Sequence, residues 1–259
     1  MKVRVNTART GALWVKLGMK AFFRQPLALS GLFFMFMALI SVMSIVPVIG
    51  NVLALALLPA ASVGLMAATS DAIRGRFPMP ALLLSAYTRG KDVRQAMLVL
   101  GAVYACGFLI VIGISALVDG GSFAKMYLTG AGINQETLLE PDFQLAMWVA
   151  LVLYLPLSLT FWHAPALVYW CAVPPVKSMF FSFVACERNF LALSVFGLTW
   201  LGTFLLAGVT VTTLSAFAGG ADLAGTLMFP TAMVLAAMFF SSTYFTFCDC
   251  FDLTEFETP

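Results

Sequence analysis

The sequence predicts an all-α integral membrane protein: six transmembrane helices as three hairpins, with cytoplasmic interfacial amphipathic helices. Three observations carry that prediction. Charged residues make up 10% of the 259-residue chain and hydrophobic residues 61%. Ordinary soluble domains carry roughly 25% charged residues, so a soluble globule of this size could not cover its surface. The apolar residues fall in long continuous runs, not in alternation, which excludes a transmembrane barrel. Finally, nearly all basic residues lie on one side of those runs. The composition excludes a cytosolic enzyme, a nucleic-acid-binding domain and a disordered chain.

An ionised side chain at mid-bilayer costs about 2.5–3.5 kcal/mol on insertion scales, so charge-free runs mark the spans. Residues 25–70 give 46, 95–118 give 24, 143–176 give 34, 189–221 give 33 and 223–248 give 26. One helix needs about 20 residues to cross the hydrocarbon core. The first run therefore holds two spans, with Pro47 and the Gly50-Asn51 pair at the turn. The third run is read as one kinked helix plus an interfacial end. The spans fall at about 27–47, 51–70, 96–118, 144–168, 191–217 and 227–248.

The whole chain reads as one membrane domain. Residues 1–26 form an amphipathic N-terminus and 27–70 hairpin 1; 71–95 form a basic loop. Hairpin 2 covers 96–168, with a solvated outer connector at 119–142. An interfacial segment at 169–190, hairpin 3 at 191–248 and an acidic tail at 249–259 complete it. Six basic residues precede span 1, five lie between spans 2 and 3, and two lie between spans 4 and 5. Only Lys125 is on the other side, so the positive-inside rule puts both termini in the cytoplasm. The N-terminal charged region is long and its first apolar run is a full span, so it does not read as a cleavable signal.

Residues 12–24 are amphipathic. Trp14, Leu17, Gly18, Ala21 and Phe22 share one face, and Lys16, Lys20 and Arg24 line another. The favoured reading is a helix lying among lipid headgroups; docking to a partner is the alternative. After Pro174 and Pro175 a second segment puts Met179, Phe180, Phe183 and Phe190 on one face. Ser178, Ser182, Ala185, Cys186 and Asn189 fall on the other. Such a small-residue face suits internal packing or, alternatively, a partner contact. Arg24, Arg188, Asn189, Ser182 and Cys186 are thus the candidate interfacial-anchor or partner-contact residues. Arg188 could reach headgroup phosphates or carbonyls near Pro174 and Pro175.

Arg24-Gln25-Pro26-Leu27-Ala28-Leu29-Ser30 enters span 1, and Arg188-Asn189-Phe190-Leu191-Ala192-Leu193-Ser194 enters span 5 in the same register. Arg94-Gln95 enters span 3 similarly. Chance likeness and a parallel triplication of hairpins both remain open readings.

The run Phe161 through Pro165, followed by Ser182-Phe183-Val184-Ala185-Cys186-Glu187-Arg188-Asn189, resembles the signature of a family of uncharacterised proteobacterial six-span inner-membrane proteins. More remotely, the layout resembles the membrane domain attached to some glycerophosphodiester phosphodiesterases. The resemblance implies a bacterial inner-membrane location and the six-span architecture. It brings no catalytic residues and, without the hydrolase domain, no phosphodiesterase chemistry.

Little in the chain suggests catalysis. The one histidine, His163, lies between the kink candidates Pro156 and Pro165. It is a weak cofactor candidate, set against a polar group bonded to backbone freed by proline. The Cys248-Asp249-Cys250 pair is a weak metal candidate if Cys171 or Cys186 came near. Polar residues of span 5 (Thr199, Thr203, Thr210, Thr213) and the end of span 6 (Ser241 to Tyr244) either glue helices or line a substrate path. Tyr154, Ser158 and Thr160 of span 4 are read the same way. No phosphate loop, nucleophile elbow or zinc-protease motif occurs. No cofactor is expected, and the weight falls against an enzyme.

The expectation is a non-enzymatic inner-membrane protein acting through contacts with membrane partners or lipids. Its partners would be the phospholipid bilayer and a membrane protein or a second copy, with no nucleic acid. The alternative is a transporter or flippase for a lipid or small apolar solute. The topology is directly testable. Reporter fusions at Lys2, Gly90, Lys177 and Thr258 are expected to report the cytoplasm, and those at Ser122 and Gly219 the periplasm. A periplasmic signal at Gly90 or Thr258 would overturn it.

Overall fold

A computed structural model describes residues 2–130, 132, 134–218 and 220–252. Gly219 and Thr258, and most of the expected acidic tail, lie outside the described residues. The described residues form twelve helices: α1 Ala8–Phe22, α2 Pro26–Met43, α3 Ile49–Ile73, α4 Ser85–Thr88, α5 Lys91–Asp119, α6 Ser122–Thr129, α7 Gln135–Leu139, α8 Pro141–Phe161, α9 Ala164–Cys171, α10 Pro175–Arg188, α11 Phe190–Ala218 and α12 Ala221–Cys250. A short 3₁₀ turn, Pro80–Leu84, precedes α4. Among the described residues, six segments are long and apolar enough to cross a membrane: α2, α3, α5, α8 with α9, α11 and α12. The expected fold class is the one observed.

The expected span edges shift where charge sits at a helix end. Helix α5 begins at Lys91 rather than 96, and α12 at Ala221 rather than 227, with Asp222 in its first turn. A terminal charge stays near the headgroups, and an acidic one there also suits the helix dipole. Asp249 and Cys250, expected in the tail, belong to α12.

The described connector is not simply solvated. It holds α6 and α7; α6 packs on α5 and α8 and buries Phe123. Helix α8 runs unbroken through Pro156, so the break comes only at Trp162–His163, before Pro165 in the first turn of α9. Proline is tolerated there because its missing N–H would be an orphan anyway.

The chain divides into two compact units. The first comprises Met1–Met35, Gly64–Leu83 and Ala185–Pro259. In it α1 packs along both α11 and α12, which also pack on each other. Gly11, Trp14, Val15, Gly18, Ala21 and Phe22 are buried, one stripe at helical spacing. The apolar face of α1 is thus covered by protein. The two glycines on that face let neighbouring backbones come closer than any side chain would. A Cβ on Gly11 would overlap the Ala192 carbonyl oxygen, and one on Gly18 would overlap Ser242. Phe33 of α2 stacks on Phe240 at 5.5 Å between ring centroids.

The second unit comprises Phe36–Val63 and Leu84–Val184. Here α5 packs along α8, with α4, α6 and α9 also against α5. One cluster buries Met97, Leu100, Tyr104, Phe161 and Val168; another buries Val111, Ile112, Phe123, Phe143 and Ala146. The Arg89 guanidinium lies 4.4 Å from the centre of the Tyr169 ring, a cation–π contact.

Gly18→Ala is expected to lower stability by about 1–3 kcal/mol, the usual cost of overpacking. At Gly197, on α11, an added Cβ meets nothing within 4 Å. Gly197→Ala should be neutral or slightly stabilising, since alanine favours helix. Melting of the detergent-solubilised variants checks both signs.

Candidate functional site

The densest described polar arrangement in the first unit joins residues 2–6 to residues 249–252. Val3 and Phe251 form an antiparallel bridge, the Arg4 N–H donates to the Cys250 carbonyl at 2.9 Å, and the Asp252 N–H donates to that of Lys2 at 3.1 Å. Arg4 also pairs with Asp252 at 2.8 Å. Beneath this clasp lies Asn189, at the joint between α10 and α11, 1% exposed. Its Nδ2 donates to the carbonyls of Arg4 and Ala185, both at 2.9 Å. Its Oδ1 accepts from the Asn6 N–H at 2.7 Å and from Asn6 Nδ2 at 3.0 Å. Trp14, wholly buried, donates from Nε1 to Asp249 Oδ2 at 2.7 Å and meets Phe196 edge-on. A buried amide so fully engaged is costly to remove, because its partners then stay desolvated and unpaired.

Arg188, beside it, is exposed, and its guanidinium makes no hydrogen bond or ion pair with a described residue. Cys186 is buried among the described residues. Cys250 is buried too, with its Sγ accepting a 3.9 Å bond from Asn6 Nδ2, whereas Cys248 is half-buried. Among the described residues no group of three His, Cys, Asp or Glu could hold a metal ion. Arg24 is placed differently from Arg188: its Nη1 donates to the Ile73 carbonyl at the end of α3.

In the second unit, Ser182 acts on the break between α8 and α9. Its hydroxyl accepts from the His163 N–H at 2.9 Å and donates to the Leu159 carbonyl at 2.8 Å. In an unbroken helix those two groups would bond to each other. The hydroxyl is therefore inserted into the helical ladder and satisfies both sides of the gap. His163 is wholly buried at this point. The break frees the His163 N–H and the Leu159 carbonyl, and Ser182 meets both. The faces of α10 are also resolved: Ser178, Ser182, Ala185, Cys186 and Asn189 are buried, and Phe180, Phe183 and Phe190 are exposed.

The span hydroxyls are mostly bonded to their own helices. Thr199, Thr203 and Thr210 each donate to the carbonyl four residues back, as do Thr160 and Ser241; Ser158, Ser242, Thr243 and Thr246 donate three residues back. Ser242 also accepts from Trp200 Nε1 at 3.0 Å, and the Tyr104 and Tyr154 hydroxyls pair at 3.0 Å. An apolar crevice of about 170 Å³ lies between Ile40, Leu55, Leu58, Phe108 and Tyr127. Asn51 at its edge is already engaged: it accepts from Ser44 and donates to the Leu128 carbonyl.

Sequence reasoning missed Asn6 and the role of Asp249, which lie far apart in the chain and carry no motif. Asn189→Ala should cost about 2–3 kcal/mol, the usual penalty for leaving buried partners unpaired. In a detergent melt this corresponds to a drop on the order of 5–10 °C. Arg188→Ala should stay within about 0.5 kcal/mol of wild type. Equal melting of the two variants would remove the clasp as the chief restraint.

No family model and no solved structure matches the chain. It is similar to a protein of Burkholderia thailandensis named "Probable inner membrane protein", with 38% identity over 256 residues, covering 98% of this chain and 95% of the relative. At that identity and coverage, and with six membrane-capable helices, the chain belongs to the family of that relative, a family of multi-pass inner-membrane proteins.

Proposed function

We propose that this inner-membrane protein, with both termini in the cytoplasm, acts by contact with membrane proteins or lipids rather than by catalysis. The observation that carries the reading is the outer face of α11. Leu198, Leu201, Leu205, Leu206 and Val209 are all more than half exposed, at three- and four-residue spacing. They form a ridge of apolar side chains, while the threonines Thr199, Thr203 and Thr210 spend their donors on their own helix. Such a helix offers a surface for packing in lipid, where association depends on shape and close contact. The remoter likeness to the membrane domain attached to some glycerophosphodiester phosphodiesterases fits this reading in layout only.

The transport alternative has one observation in its favour, the apolar crevice. At about 170 Å³ it falls below the roughly 300–1,000 Å³ typical of small-molecule sites. It would admit a chain segment rather than a whole solute.

Photo-crosslinking residues placed singly along α11 test the proposal. Adducts should recur at Leu198, Leu205 and Val209 and be absent at the buried Phe196 and Trp200. Reconstituted vesicles should show no faster transbilayer movement of fluorescent phospholipid than protein-free vesicles. Faster movement would favour the flippase reading.

A further inference from the structure

The end of α3 carries a feature that the ridge does not use. Gly75, at φ +76°, closes the helix: the Arg76 N–H turns back to the Asp71 carbonyl at 2.9 Å, and the Gly75 N–H to that of Ala72 at 3.2 Å. This left-handed glycine closure sets Arg74 and Arg76 on either side of the turn. The Ile73 carbonyl, an orphan of the last helical turn, accepts from Arg24. The next residue, Gln25, donates from Nε2 to the Arg76 carbonyl at 3.0 Å. The joint between α1 and α2 is thereby stapled to residues 73–76, and three guanidinium-bearing residues share one corner.

The charges at this corner do not cancel. Asp71 takes one N–H of Arg76, and the Arg74 guanidinium makes no hydrogen bond or ion pair with a described residue. Each guanidinium has five donors, so Arg24 and Arg76 keep most of theirs. All three arginines are exposed. Beside them Phe23, Leu27 and Phe77 are 64%, 88% and 65% exposed. Arg24 stands two residues before α2, and Ile73 is the last residue of α3, so the corner is at headgroup depth. Apolar side chains beside unspent guanidiniums at that depth match a ligand with an anionic head and hydrocarbon tails.

We propose that Arg24, Arg74 and Arg76 form a binding site for the phosphate of an anionic phospholipid, with Phe23, Leu27 and Phe77 against its acyl chains. The site rests on the contact reading above and names its lipid. Its test is separate from the α11 crosslinks, which do not involve this corner.

The full-length protein is placed in nanodiscs of phosphatidylcholine, with or without phosphatidylglycerol. Retained lipid is counted by native mass spectrometry, and melting is followed in parallel. Wild type should retain phosphatidylglycerol saturably and melt higher with it. The double variant Arg74→Gln/Arg76→Gln leaves the Arg24 cap intact and removes two of the three guanidiniums, so it should weaken retention more than about tenfold, the effect of losing a single charge-assisted hydrogen bond. Arg24→Lys keeps the charge without the planar fork and should weaken it less. Lys91→Gln/Arg94→Gln removes equal charge elsewhere and should leave retention unchanged. Equal loss in that control would reduce the site to diffuse attraction and overturn the proposal. Stabilisation by inorganic phosphate alone in phosphatidylcholine discs would overturn the lipid assignment.

Discussion

A backbone N–H or C=O needs a hydrogen-bond partner, and inside hydrocarbon, where no water is present, only the chain can supply it. Straight helices meet this requirement by themselves. The informative residues are those at which helices stop. At Trp162–His163 the ladder opens, and the Ser182 hydroxyl enters the gap as both acceptor and donor. At the end of α3 a glycine turn leaves the Ile73 carbonyl over, and Arg24 meets it. At the joint of α10 and α11 the Asn189 amide engages four groups. In each case a side chain distant in sequence completes a backbone that a helix cannot.

The same requirement explains why the amphipathic N-terminal helix is structural. Trp14 has a large apolar body and one donor, so it can be wholly buried only where an acceptor waits; Asp249 supplies it. Gly11 and Gly18 remove the side chains that would hold α1 away from α11 and α12. Burial of the stripe and pairing of the termini then support each other. The clasp fixes the direction in which the chain enters α1, and the packed stripe holds the clasp in place.

The spans were legible because the cost of a mid-bilayer charge is sharp. Their edges were less so: Lys91 and Asp222 sit in helix ends, where that cost fades. The apolar face of α1 was legible from its spacing, but periodicity does not say whether lipid or protein covers a face. The glycines on it were the missed signal, since a glycine offers lipid nothing and a neighbouring helix a close approach. On α10 both faces were found from sequence. The face it buries is the small-residue one, as the internal-packing reading of that face has it, while Phe180 and Phe183 stay exposed. Arg188 drew attention by its charge. Asn189 does the bonding, and its partner Asn6 lies 183 residues away, beyond the reach of any local pattern.

The resemblance between the segments entering spans 1 and 5 can now be weighed by what the residues do. In each, an arginine is followed by a carboxamide at the joint between a shorter helix and a membrane-capable one. Gln25 donates to the carbonyl of Arg76, and Asn189 to that of Arg4. Both amides therefore tie the entry of a span to a backbone carbonyl elsewhere in the first unit. The third candidate differs. Arg94 and Gln95 fall inside α5, which begins at Lys91 and has no break there for an amide to bridge. A shared device at two joints of similar sequence is stronger ground for common origin than a run of Leu and Ala, which any membrane helix contains. By the same measure, the segment entering span 3 shares the order of elements but not the joint.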